Sequence, residues 1–255
     1  MTKEELFQTL HKYFEDLIKE NNLDDSDIVI NSKTLTPQEA IGIVKRKDFP
    51  IIVGKDVMVQ AEFQGAIGQA FTDSPSAFRG SLKEILQLDL LNDSHGRGLF
   101  LASLNAVMCK LNMATNTIHC KNNDTEICAK KFADYVRENF KNKKIALVGY
   151  QPAILESLAK ENNIRVLDLN PDMVGQNKYG VLVEDGVKDY EDVVINWSDV
   201  VLCTGSTLCN GSLVNFMDIE KEDVFFGTTI AGVANIFDLK RACFCSQSKT
   251  NWKIL

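Results

Sequence analysis

Four short segments hold the residues best suited to grip a small polar ligand. They are Gly149-Tyr150-Gln151-Pro152, Leu169-Asn170-Pro171, Thr204-Gly205-Ser206-Thr207 and Gly227-Thr228-Thr229. Each follows an apolar run that reads as a buried strand: 145–148, 164–168, 200–203 and 224–226. Glycine lets a ligand approach the backbone, and free N–H groups at helix starts attract anions. In a parallel α/β sheet such turns gather on one edge, where ligands bind outside the carboxyl ends of the strands. The pattern predicts a cleft lined by Gly149, Tyr150, Gln151, Pro152 and Asn170, continued by Thr204, Gly205, Ser206, Gly227 and Thr228. Their N–H and hydroxyl donors would hold the anionic part of a ligand. Asp73 and Asn105, from earlier in the chain, are expected to approach from the other side.

Asp168 closes the second of these strands, 19 residues after Gly149. A dinucleotide fold places its ribose-holding acid at that spacing, which raises an enzyme with a nucleotide or adenosyl cofactor as an alternative. The glycine fingerprint is broken, however, since 149, 151 and 154 read Gly, Gln and Ile. Sulfur offers another chemistry. Cys203 and Cys209 border the expected cleft and are candidate soft metal ligands. His119-Cys120 and Cys128 form an H-C-x7-C run that matches no zinc-finger spacing, so Cys120 and Cys128 stand either as buried thiols or as ligands of a zinc-structured interaction module. Cys243 and Cys245 lie two apart in an expected strand, as a core stripe or a chelate.

The elements that must position these residues fall into two groups. Residues 3–21 read as an amphipathic helix behind a Thr2/Glu5 capping box. A strand at 28–30 and a Pro-initiated helix from 36 to about 47 follow. Next come strands at 50–53, 57–63 and 66–71, a loop over 72–80 and a short helix around 82–86. Asn92 to Gly96 marks a boundary, giving domains 1–94 and 95–255. A rather apolar helix over 98–111 should lie buried between them, and a helix opening at Asp124 or Thr125 follows. From Lys143 onward strands alternate with helices near 152–161, 211–218 and 232–240, with further strands at 181–183 and 242–245. The expected class is α/β, a Rossmann-like doubly wound parallel sheet with a smaller N-terminal α+β domain.

Composition bounds the function. The 255 residues are 45% hydrophobic and 25% charged, ordinary globular values. The net charge of −7 makes the chain acidic overall, where a nucleic-acid binder needs a basic face, so no nucleic acid is expected as a partner. No apolar run reaches the length of a membrane span, the N-terminus carries no signal-peptide core, and seven cysteines suit a reducing compartment. The expectation is a cytoplasmic protein with a small-molecule ligand, no membrane partner and a homodimeric state.

Several segments taken together resemble a known family. They are Ala70-Phe71-Thr72-Asp73-Ser74-Pro75, Leu104-Asn105-Ala106, Thr117-Ile118-His119-Cys120, Val148-Gly149-Tyr150-Gln151-Pro152-Ala153, and the run Thr204-Gly205-Ser206-Thr207-Leu208-Cys209-Asn210-Gly211-Ser212-Leu213. The chain is similar along nearly its whole length to the heavy-metal chelatase family, long a domain of unknown function. The resemblance implies an N-terminal domain like that of enolase, a Rossmann-like C-terminal domain and a ligand site between them, with Asn210 among the contacts. It implies a heavy or transition metal ion, or a metal-chelating small molecule, as what is bound. Two departures from the family pattern are the helix-like segment at 36–47 and Gly227-Thr228-Thr229 after the fifth strand.

Overall fold

The computed structural model describes residues 1–24, 29–54 and 56–248. Ile28 and Lys55, which the expected strand at 28–30 and the turn before 57 included, lie outside the described residues. The chain opens with α1 (Lys3–Glu20), capped reciprocally by Thr2 and Glu5 as the sequence requires. Then come β1 (Val29–Leu35), α2 (Pro37–Ile41), β2 (Val57–Phe63), β3 (Ala66–Thr72), β4 (Phe78–Ser81) and α3 (Leu82–Ile85). The four strands form an antiparallel sheet in the order β3-β2-β1-β4. β2 and β3 are a hairpin about Gln64-Gly65, both at positive φ, in register Val57↔Thr72 to Phe63↔Ala66.

Three expectations change here. α2 ends at Ile41 rather than near 47, because Gly42 turns to φ +74° with Asn122 packed where a Cβ would stand. Residues 50–53 form a turn, not a strand. The 72–80 loop instead runs into β4, which pairs with β1.

The second half carries α4 (Ser94–Lys110), α5 (Asp124–Asn139), β5 (Lys144–Val148), α6 (Pro152–Ala159), β6 (Asn163–Asp168), β7 (Asn177–Lys178) and β8 (Val181–Asp185). After a π-helical stretch at Glu191–Trp197 come β9 (Val200–Thr204), α7 (Thr207–Asn210), β10 (Glu222–Phe226), α8 (Ala231–Ile236) and β11 (Arg241–Ala242). The helix expected near 211–218 is replaced by α7 and a 3-10 turn at Ser212–Asn215. The last strand stops at Ala242, and Cys243 to Ser246 bend away. The seven strands run β11-β10-β9-β5-β6-β8-β7, all parallel except the β7–β8 pair. Strand order reverses between β5 and β9, so the switch point of a Rossmann-ordered sheet lies there.

α4 joins the two sheets. From Gly96 to Cys109 every residue is buried. One side lies on β3 so closely that a Cβ on Gly68 would meet Ala102 O and Ala106 N at 2.3 Å. α1 lies on another side, where Phe14 meets Phe100 edge-on at 5.3 Å. Asn105 ties the helix to the parallel half. Its Nδ2 donates to Gln69 O, Thr228 O and Thr229 O at 3.0–3.1 Å, and its Oδ1 accepts from Gly232 N at 2.8 Å.

Candidate functional site

A cleft of about 680 Å³ opens where the carboxyl ends of β5, β6 and β9 face the end of the β2–β3 hairpin. Local sequence dictates its floor. Gly149 adopts φ +90°, and a Cβ there would come within 2.5 Å of Thr204 Cγ2, so only glycine lets the two turns at the switch point meet. Thr204 Oγ1 lies 3.1 Å from Ser206 Oγ. Gln151 precedes the first turn of α6, and Asn210 ends α7. Asp73, Gly149, Tyr150, Gln151, Asp168, Asn170, Thr204, Ser206, Cys209 and Asn210 all line the cleft, as the sequence predicts.

Other predicted residues lie elsewhere. Asn105 is 1% exposed and saturated by the four bonds above, so it positions α4 and does not reach the cleft. The Gly227-Thr228-Thr229 turn packs beneath that helix instead of joining the rim; Thr229 Oγ1 accepts from Phe71 N at 2.9 Å. Gly205 is buried, and a Cβ there would meet Ile230 Cβ at 2.8 Å, so its glycine serves packing rather than ligand approach. Pro152 is the buried first residue of α6. Cys203 is fully buried, its thiol 3.6 Å from Thr207 Oγ1. Cys120 and Cys128 lie outside the cleft.

The charged side chains of the described lining are acidic. Four of the main-chain amides in these turns are bonded within the chain. Tyr150 N and Asn170 N donate to the two oxygens of Asp168 at 2.6 and 2.7 Å. Gly149 N donates to Leu167 O at 2.8 Å and Gly205 N to Phe226 O at 2.7 Å. The chain's own carboxylate thus takes up two of the main-chain donors that these turns offered.

Asp168 is not the only acid. The hairpin register that pairs Val57 with Thr72 sets Asp56 opposite Asp73 one residue further out, and both line the cleft. Burial, then the charges of Asp168 and Asp73, push the Asp56 carboxyl up to about 6. Among the described residues of the lining there is no lysine, arginine or histidine. Asp56 was missed as a site residue because Gly54-Lys55-Asp56 reads as a bare turn. The Gln64-Gly65 turn was the signal that could have found it, since counting back along the hairpin places Asp56 beside Asp73.

The sulfur expected here is not free to bind metal. The Cys209 thiol donates to Phe71 O at 2.8 Å, and burial pushes both it and Cys203 up to about 12, far from thiolate at neutral pH. Among the described residues no three or more His, Cys, Asp or Glu side chains stand arranged round a bare ion. A strap from the antiparallel half covers one side, with Pro50 and Asp56 in the lining. Arg46 anchors it, with Nε 3.1 Å from Glu126 of α5, Nη1 3.3 Å from Asp48 and Nη2 on Glu156 of α6.

Fold and site together define a two-sheet α/β protein with an acidic crevice at the switch point of its parallel sheet. Residues 131–232 match the DUF364 family, described as "Putative heavy-metal chelation". The family that the motifs resemble is the one whose description matches this segment. The chain is similar to a DUF364 protein of unknown function from Pyrococcus horikoshii, at 19% identity, TM-score 0.51, covering 88% of this chain and 79% of that one. It is equally similar to one from Desulfitobacterium hafniense DCB-2, at 14% identity, TM-score 0.51, covering 91% and 85%. At these identities the likeness shows the fold. No curated protein matches the chain. No described helix is long and apolar enough to cross a membrane.

Proposed function

We propose that the cleft binds a metal cation as a small complex of net positive charge, either hydrated or held by a neutral chelator. The observation that carries this reading is the convergence of Asp56, Asp73 and Asp168 on a cleft whose described lining holds no basic side chain. Carboxylate and carbonyl oxygens suit hard and borderline divalent ions. A cleft of about 680 Å³ exceeds what a bare ion needs and has the size of a small-ligand pocket. Asp73 and Asp56 draw the cation in. Asp168 is fixed in place at the floor by the Tyr150 and Asn170 amides. Thr204, Ser206 and Asn210 supply neutral oxygens for the complex's water or chelator. The family description supports metal chelation, and the charge selects the cationic form of the cargo over the anionic ligand that the turns alone suggested.

Isothermal titration with nickel(II) as the hydrated ion, against nickel(II) carried as its anionic citrate complex, tests the reading. Binding of the aqua ion, together with rejection of the citrate complex, is the expected result. Equal affinity for the two, or an unchanged affinity in Asp73→Asn, overturns it.

A further inference from the structure

Two residues at the cleft break the usual chemistry of a turn. Leu169 directly follows β6, and Val187 follows β8 after one glycine, where turns ordinarily carry small or polar residues. Leu169 is 52% exposed and Val187 74%, and both line the cleft. The sheet brings them together. β6 and β8 end in parallel register at Asp168↔Asp185, and Gly186 N donates to Asp168 O at 2.9 Å one rung further on. A Cβ on Gly186 would stand 3.1 Å from Leu169 Cδ2, so the leucine lies over the glycine. The Asp185 carboxylate accepts from Val187 N at 2.9 Å and Lys188 N at 3.1 Å, a tight turn that leaves the valine standing out. Lys188 pairs with Asp185 at 3.4 Å and is not part of the lining. Met173 and Tyr190 continue the wall. The Tyr190 hydroxyl is spent on Asn215 O at 2.5 Å, and its ring meets that of Phe216 edge-on at 5.6 Å. This side of the cleft therefore presents hydrocarbon, whereas Asp56 and Asp73 come from the β2–β3 hairpin.

Single exposed leucines and valines are ordinary on a protein surface. A contiguous set on one wall of a concave site, together with a few charged groups, is instead how small-ligand pockets hold an apolar body by one end and a polar one by the other. A hydrated ion gains nothing from such a wall, because its water shell loses hydrogen bonds against Leu169 and Val187. We propose that the cleft takes an amphiphilic cation: a metal complex whose neutral chelator has an apolar body, seated on Leu169, Met173, Val187 and Tyr190, with its positive charge turned towards Asp56 and Asp73. The inference rests on the cation reading of the cleft and adds the class of chelator that accompanies the metal. Methionine is unbranched and adapts its shape, so Met173 lets the wall select for apolar area rather than for one outline. Charge then decides whether a complex binds, and apolar area decides how much more tightly than the hydrated ion.

Two kinetically inert platinum(II) complexes of equal positive charge test this by isothermal titration of the full chain. One carries two ethylenediamine ligands, the other one ethylenediamine and one bipyridine. The bipyridine complex should bind at least tenfold more tightly, since burying roughly 60 Å² of ring corresponds to about that factor. Its binding should also show the more negative heat-capacity change. This comparison needs no variant to fold. Leu169→Ser/Val187→Ser, at two exposed positions, should bring the ratio of the two affinities below threefold. A ratio near one in the unsubstituted protein overturns the inference and leaves the cation reading standing. Failure of both complexes where hydrated nickel(II) binds does the same, while failure of all three overturns the cation reading with it. A ratio that survives in the double variant places the ring on another wall and overturns the assignment. A dimer, seen by sedimentation, that the double variant splits gives these side chains to a second copy of the chain and overturns it too.

Discussion

The acidic cleft and the cysteine-bearing segments outside it set their thiols in different surroundings. The cleft gathers carboxylates from one hairpin and one strand end, and its one lining thiol, on Cys209, is tied to Phe71 O. Cys120, Cys128 and Cys243 to Cys245 instead lie next to a backbone bridge, on a helix and in a bend outside the cleft. Hard ions discriminate by charge and oxygen count, soft ions by thiolate. A cysteine therefore means different things in the two places. In the cleft it is a packed thiol raised to about 12 by burial. Outside it, Cys128, Cys243 and Cys245 are only half-buried. Residue type alone does not mark a metal site; the partners that the fold brings to it do.

The contrast breaks most visibly with charge reversal. Asp73→Lys should weaken nickel(II) binding in the cleft at least a hundredfold, about 2.7 kcal/mol, which titration calorimetry reads directly.

A smaller effect concerns stability. The folded Asp56 carboxyl is raised from 3.8 to about 6, so its ionised form costs stability above that range. The cost disappears as pH falls through 6 towards 3.8, below which the group is protonated in both states. Asp56→Asn should therefore stabilise the protein by about 2 kcal/mol at pH 8, roughly 5 °C in Tm, and by nearly nothing at pH 3.5. Thermal melts at the two pH values check it, and a variant less stable than the parent at pH 8 removes the repulsion among Asp56, Asp73 and Asp168.

The same proton governs binding. One pH unit below 6 leaves Asp56 about one-tenth ionised, so cleft affinity should fall by up to about tenfold between pH 7.5 and 5. In Asp56→Asn that part of the pH profile should flatten. Least of all, Arg46→Ala should cost about 1 kcal/mol of stability, because its partners Glu126 and Glu156 are partly solvated. It should speed nickel association by freeing the strap, which stopped-flow measurement resolves.

Much of this was legible before any coordinates. Strand-like runs flanking the Gln64-Gly65 turn, at 57–63 and 66–71, and continuous apolar runs at 145–148 and 200–203 marked the hairpin and the parallel sheet. The turns after three of the strands do form the rim. What escaped notice has identifiable causes. Turn residues advertise hydrogen-bonding capacity but not whether it is spent, and Asp168 spends the amides of Tyr150 and Asn170. Glycine at 205 looks the same in sequence whether a ligand or Ile230 fills the space beside it. Asn105 reads as a cleft residue only until its four bonds to main-chain atoms are seen. The long-range bridge between Ile118 and Gln247 is encoded by no local spacing.

A helix sheathed on every side acts as a common spine. Because α4 is fused to β3 at Gly68 and to the 228–232 turn through Asn105, the two halves cannot swing apart like jaws without stripping bare the most apolar segment of the chain. The crevice therefore has walls of fixed spacing, set by one buried helix rather than by a hinge.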